Sequence, residues 1–331
     1  MKNIYYLFLS VMVAIAFTSC NNEWEDEQYV HTVSFKANPN SQGVTEAYVR
    51  YKPGGVVRYD LPMILSGSTM NNQNLTVKVD LDPDTLAALN KEIYGHREEL
   101  YFVQLDKKYY DMPETIEFPV GECATTFPID FKLSGELDQA DKFVLPLQIV
   151  DNPSLGYQAN PRKHYRRAMM RLTPFNDYSG TYDAAQYKIY IDSDTSTPLT
   201  ISSTRAFVVD ERTVFIYAGV RDIDYLDRKL YKIFIEFAED KEDKRLKIYT
   251  DNPNIELNVD AQSPAYYTMI DEMDELKPYL KKVYIMINLK YSFVDYTTIP
   301  GQKIKYTVDG SLAMQRNLNT LIPDEDQQIQ W

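Results

Sequence analysis

Met286-Ile287-Asn288-Leu289-Lys290-Tyr291-Ser292-Phe293 alternates apolar with polar side chains over eight residues. A strand turns successive side chains to opposite faces, so this run gives one face to a core and one to water, and its length suits a barrel wall. Runs of the same character surround it at 187–191, 206–209, 214–217, 231–237, 245–249, 255–259 and 303–314, the last with Ile304, Tyr306 and Val308 on one face. Following Tyr178-Ser179-Gly180-Thr181-Tyr182, they predict an antiparallel β-barrel of lipocalin-like, up-and-down type, with a second sandwich as the alternative.

Toward the N-terminus the pattern breaks at Pro174-Phe175-Asn176-Asp177, which sets a boundary between a domain at 31–173 and another at 177–331. The first domain shows short strands at 31–35, 48–51, 56–59, 61–65, 75–81, 115–118, 126–133, 144–150 and 168–172. Pro53-Gly54-Gly55 is a turn signal, so 48–51 and 56–59 are expected to form a hairpin. One helix start stands out at Asp82-Pro83-Asp84-Thr85, where Asp82 suits the cap and Pro83 the first helical position. Strands at this spacing predict an antiparallel β-sandwich, and the whole chain is expected to be all-β.

The N-terminus carries a different signal. Met1-Lys2-Asn3 leads into an apolar run at 4–17, too short to remain as a membrane span, and then into Phe17-Thr18-Ser19-Cys20. Residues 1–19 are expected to be a cleavable lipoprotein signal peptide and Cys20 the site of lipid attachment, although Phe17 stands where leucine is usual. Residues 20–30 form an acidic tether, in which Glu23, Glu25, Asp26 and Glu27 resemble the tag that sends Bacteroidetes lipoproteins to the cell surface. The expected location is the outer membrane, facing outward and held by lipid.

Composition narrows the partners. Removal of residues 1–19 leaves 34 basic against 48 acidic residues, a net charge of −14 with histidine neutral. That surface argues against nucleic acid and against a headgroup-binding face, so the membrane is reached through the N-terminal lipid only. Cys123 is then the sole thiol, expected to be structural, and no intramolecular disulfide can form. His31, His96 and His164 are too far apart for a local metal-ligand pair, and Asp192-Ser193-Asp194-Thr195-Ser196 lacks the glycine and glutamate of a calcium loop. The acids at Asp271-Glu272, Asp274-Glu275 and Asp324-Glu325-Asp326 suit a charged surface, and no phosphate loop or nucleophile elbow occurs. A non-catalytic protein without metal or cofactor is expected.

The chain has 27 tyrosines, whose flat apolar rings and polar tips suit sugar faces as well as cores. Tyr187, Tyr231 and Tyr306 lie within strands and are expected to pack there, and Trp331 to pin the C-terminus. Tyr157 and Tyr225 fall in loops and are the glycan-binding candidates.

The strings Leu65-Ser66-Gly67-Ser68-Thr69, Ala159-Asn160-Pro161-Arg162-Lys163-His164-Tyr165 and Pro174-Phe175-Asn176-Asp177-Tyr178-Ser179-Gly180-Thr181-Tyr182 resemble a family of two-domain Bacteroides outer-membrane lipoproteins encoded in glycan-utilisation loci. The resemblance implies an Ig-like first domain, like the one preceding family-18 endo-glycosidases, and binding of oligosaccharides or polysaccharides beside a starch-utilisation-system-like importer complex. It supplies no sugar-contact residues. The competing expectation is a structural or adhesion subunit of fimbrillin-like type, assembled by strand addition. Cys20→Ala is expected to leave the chain unlipidated, so immunoblots of washed outer membranes should retain the wild type and lose the variant.

Overall fold

The computed structural model describes residues 29–322 apart from 53, 134–136, 192, 193, 195 and 241. Residues 1–19, Cys20, the tag residues Glu23, Glu25, Asp26 and Glu27, the acids at 324–326 and Trp331 lie outside the described residues.

Two sheets face each other in the N-terminal domain. One runs β10 (Gln158–Ala159), β1 (Thr32–Phe35), β3 (Val56–Ser66), β8 (Ala124–Lys132), β6 (Tyr110–Asp111). The other runs β2 (Thr45–Arg50), β11 (Arg167–Phe175), β9 (Lys142–Ile149), β4 (Leu75–Leu81), β7 (Thr115–Phe118), with β5 (Phe102–Gln104) added to β9. Alternation fixes the inner faces: Val57, Leu61, Met63 and Leu65 of β3 meet Leu75, Val77 and Val79 of β4 and Phe127, Ile129 and Phe131 of β8 in one core. Most pairings are antiparallel, but β1 with β10, β2 with β11 and β5 with β9 are parallel.

Helix α1 (Pro83–Tyr94) begins as expected, with the Asp82 carboxylate accepting from the Thr85 amide at 3.1 Å. Its Leu86, Leu89 and Tyr94 pack with Val144 and Met169, covering the outer face of β9 and β11. The expected hairpin across Pro53-Gly54-Gly55 does not form. β2 pairs with β11 in one sheet and β3 with β1 and β8 in the other, so the chain changes sheets between Arg50 and Val56. The runs 56–59 and 61–65 are a single strand, because Pro62 sits beyond the pairing with β1 while its carbonyl still accepts from Lys36.

The C-terminal domain closes on itself. From β12 (Gly180–Asp183) the ring passes through β15 (Ser203–Val208), β16 (Thr213–Tyr217), β17 (Lys232–Phe237) and β18 (Leu246–Tyr249). A bridge between Arg245 and Tyr266 joins β18 to β20 (Tyr266–Met273), and β21 (Leu280–Asp295) and β22 (Ile304–Asn319) lead back to β12 through Asp183 and Ala313. β13 (Lys188–Ile191) and β14 (Leu199–Thr200) form a hairpin beside β22, and β19 (Asn258–Val259) pairs with β21. This is an up-and-down barrel, which decides between the two architectures the sequence allowed. Gly310 permits the crossing between β12 and β13, since a Cβ there would lie 2.0 Å from the Gln186 carbonyl oxygen.

The interior is filled rather than hollow. Tyr182, Tyr187, Ile216, Ile235, Phe237, Tyr267, Ile285 and Tyr291 meet inside. Buried phenols need partners: Tyr182 donates to the Tyr178 carbonyl at 2.6 Å, and the Tyr187 and Tyr291 hydroxyls bond to each other. Burial pushes Tyr291 up to about 12, so its proton stays at physiological pH. Tyr187 and Tyr231 are buried and Tyr306 half-buried in packing contacts, as expected for strand tyrosines.

The link between the domains is itself ordered by hydrogen bonds. Asn176 accepts from the amides of Tyr178 and Ser179, and the buried Arg316 donates to the carbonyls of Asn176 and Ser179 at 2.9 and 2.6 Å. Across the junction Arg228, 1% exposed, donates to the carbonyls of Ala140 and Glu99 in the first domain at 3.0 and 2.9 Å. Lys142 pairs with Asp224 at 2.8 Å, Lys229 with Asp141, and Lys232 with Asp138. Ala140 packs against Phe207, Phe215 and Tyr217 of the barrel. Arg228→Ala would strand the buried Ala140 carbonyl and remove the tie to Glu99, and is expected to cost about 3 kcal/mol. Calorimetry should show the single unfolding transition of the wild type splitting into two in the variant.

Candidate functional site

A pocket of about 510 Å³ opens on the side of the barrel that faces the first domain. Its wall is built from Ser203, Thr204, Arg205 and Phe207 of β15, from Ile201 and Ser202 before it, and from Tyr217 of β16. Thr181 and the segment Val220-Arg221-Asp222-Ile223 complete it. Strand alternation explains the composition: Ala206 points into the barrel core, which leaves Ser203, Arg205 and Phe207 on the outer face.

The segment after β16 is held by a buried ionic network. Arg221 lies 3.0 Å from both Asp227 and Asp295, with its guanidinium 3.6 Å over the Tyr231 ring. Asp295 also accepts from the Tyr231 and Thr298 hydroxyls and the Thr297 and Thr298 amides. Burial works against the Asp295 charge, but the Thr298 and Thr297 donors and Arg221 outweigh it and hold the carboxyl far below the usual range. One wall of the pocket is thereby fixed.

Two groups on the wall lack partners. Tyr217 is 2% exposed, its ring packs on Phe207 and Phe215, and its hydroxyl has no hydrogen-bond partner among the described residues. Burial drives this phenol well above its ordinary pKa. An unsatisfied buried hydroxyl costs about 1–3 kcal/mol. Arg205 is half-buried with its guanidinium 5.4 Å from the Phe207 ring, and it makes no hydrogen bond or ion pair among the described residues.

Other concavities fit a ligand less well. A cleft beside α1 encloses about 40 Å³, far below the ~300 Å³ of a small-molecule site. A groove of about 310 Å³ on the barrel wall includes Tyr266 and Lys290, but Lys290 is already engaged by Asp260 at 3.1 Å.

Of the two tyrosines singled out, Tyr225 is 41% exposed and lies two residues beyond the pocket wall at Ile223, outside the lining. Tyr157 contradicts its expectation. It is 0% exposed, donating to the Val150 carbonyl at 3.1 Å and accepting from the Lys78 amide at 3.2 Å. Gly156, at φ 81°, reverses the chain and turns Tyr157 inward, where it staples the loop to β4. The acids at 271–275 form surface contacts, Asp271 with Lys281, Glu272 with Tyr284 and Asp274 with Lys282. Cys123 is half-buried, with its carbonyl accepting from Leu65. Sequence reasoning missed Arg205 and Tyr217, and the available signal was an arginine in step with Phe207 on one face of a strand.

A family model described as a domain of unknown function, DUF4973, matches residues 24–153, and a C-terminal domain model matches residues 166–313. No curated protein matches. Among solved structures, a Bacteroides ovatus protein of unknown function is 39% identical over 91% of this chain and 100% of its own, with a TM-score of 0.80. A multidomain B. ovatus protein that includes DUF1735 is 39% identical over 92% and 100%, with a TM-score of 0.79. A Bacteroides thetaiotaomicron protein described as an auxiliary nutrient binding protein is 37% identical over 92% and 100%, also at 0.79. The chain belongs to this family of two-domain Bacteroides proteins.

The network at Asp295 has a measurable consequence. Removing one member of a buried ion pair costs about 3–5 kcal/mol, so Asp295→Ala is expected to lose that much at pH 7. Because the folded pKa is depressed, this stabilisation is complete above the unfolded carboxyl value near ~4 and is lost as pH falls toward the folded value. Urea unfolding should show a gap between wild type and variant that narrows below pH 4.

Proposed function

We propose that this member of the family is a non-catalytic, lipid-anchored surface protein that binds glycans for a starch-utilisation-system-like uptake locus. The observation that carries the reading is a 510 Å³ pocket in which the Phe207 and Tyr217 residues stand beside Ser202, Ser203, Thr204 and Arg205. Sugars present many hydroxyls around a patch of C–H surface, so a site for them needs short polar side chains, an aromatic ring and room. The description of one relative as an auxiliary nutrient binding protein points the same way. The signal peptide, Cys20 and the tag residues Glu23, Glu25, Asp26 and Glu27 supply the route to the cell surface, where an importer complex is the partner.

A structural role by strand addition has its own support. β20 runs on to Met273, but among the described residues its outer edge is paired only near Tyr266 and Tyr267, and Ile270 and Met273 are 64% and 49% exposed. An apolar strand edge of this kind accepts an extended segment of another chain.

A glycan array probed with the mature chain, followed by calorimetry on the hits, separates the two. Ser203→Trp fills the pocket from an exposed position and is expected to weaken glycan binding at least ~10-fold, the loss of about one good contact. Undiminished binding by this variant would place the site elsewhere.

A further inference from the structure

We infer that the pocket selects saccharides bearing a negatively charged group, a carboxylate or a sulfate, which Arg205 binds. The inference rests on the glycan-binding reading of the same pocket and names the class of sugar.

The chain carries 48 acids against 35 lysines and arginines, so a basic side chain finds a carboxylate easily. The arginines around the junction have found partners: Arg171 meets Glu46 at 3.2 Å, Arg221 meets Asp227 and Asp295, and Arg228 is spent on carbonyls. Arg205 alone of these four makes no ion pair or hydrogen bond among the described residues, although it is half-buried against Phe207. Partial burial of a charge is unfavourable unless an opposite charge or good acceptors compensate it. Burial and the neighbouring Arg171 pull the Arg205 pKa down and outweigh Glu46, which acts on it from beyond contact distance while paired with Arg171; a bound anion would oppose the lowering.

Arg205 opens on a pocket large enough for a sugar ring, and its planar fork of N–H donors matches the paired oxygens of a carboxylate or sulfate. Asp222, the acid in the lining, is solvent-exposed, which screens its repulsion of an anion bound at the buried end.

The test uses the mature chain and calorimetry on matched probes: oligogalacturonides and chondroitin sulfate oligosaccharides, each beside its carboxyl-reduced or desulfated counterpart. At least one charged probe is expected to bind about 10- to 100-fold more tightly than its neutral counterpart, the range of a charge-assisted contact, with the preference shrinking as salt rises. Which arm shows the preference tells carboxylate from sulfate. In Arg205→Gln the ratio should collapse toward one, whereas Arg205→Lys should keep part of it. Equal binding of charged and neutral probes by the wild type would overturn the charge selection and leave glycan binding intact. A charge preference that persists in Arg205→Gln would overturn the role of Arg205. Failure of the wild type to bind any glycan, here and on the array, would overturn both readings.

Discussion

β16 is buried at all five of its positions, on the face turned into the barrel and on the face turned away from it. Val214 and Ile216 belong to the barrel interior, while Phe215 and Tyr217 belong to a separate cluster with Ala140 of the first domain. A strand apolar on both sides has no face to give to water, so the barrel requires a cover along this wall. The sandwich provides it, and the buried cations of the junction follow from the same demand. Arg228, Lys142 and Lys232 are the long side chains that can satisfy carbonyls and acids where two such surfaces close. The pocket lies along the margin of that contact, where β15 leaves the cover and its outer face becomes accessible.

Much of this architecture is legible in period-two alternation. The strands at 75–81, 187–191 and 286–293 and the capped helix at Pro83 are where the pattern places them, because each has one face in a core and one outside. The misreadings share a cause. Pro53-Gly54-Gly55 marks a reversal of direction, but local sequence does not say which sheet the chain enters next, and here it changes sheets. Pro62 and Pro174 resemble strand ends, yet both lie inside strands, at positions where the missing N–H is tolerated by the pairing around them.

The site was less legible than the fold. Loop tyrosines are the obvious place to look for sugar contacts, and Tyr157 shows why that fails: a loop that folds back over a sandwich buries its aromatic as an anchor. Tyr217 shows the converse, a strand residue whose ring packs and whose hydroxyl is left without a partner among the described residues. What distinguishes the two is hydrogen bonding across long sequence separations, which alternation does not encode. Arg205 was visible as a charge in a strand, but its lack of an ion pair among the described residues depends on Glu46 being committed to Arg171.

The parallel pairing of β2 with β11 has a mechanical consequence. β11 is the last strand of the sandwich, and the chain leaves its Phe175 end directly for the barrel, so traction on the barrel enters β11 along its own axis. Six registered pairs, from Met170 with Thr45 to Phe175 with Arg50, then bear that load together, as stitches along a seam do, rather than parting one at a time from a free end. If the chain is tethered near its N-terminus and grips a polymer through its C-terminal half, as proposed, shear resistance is built into the strand that joins the two domains.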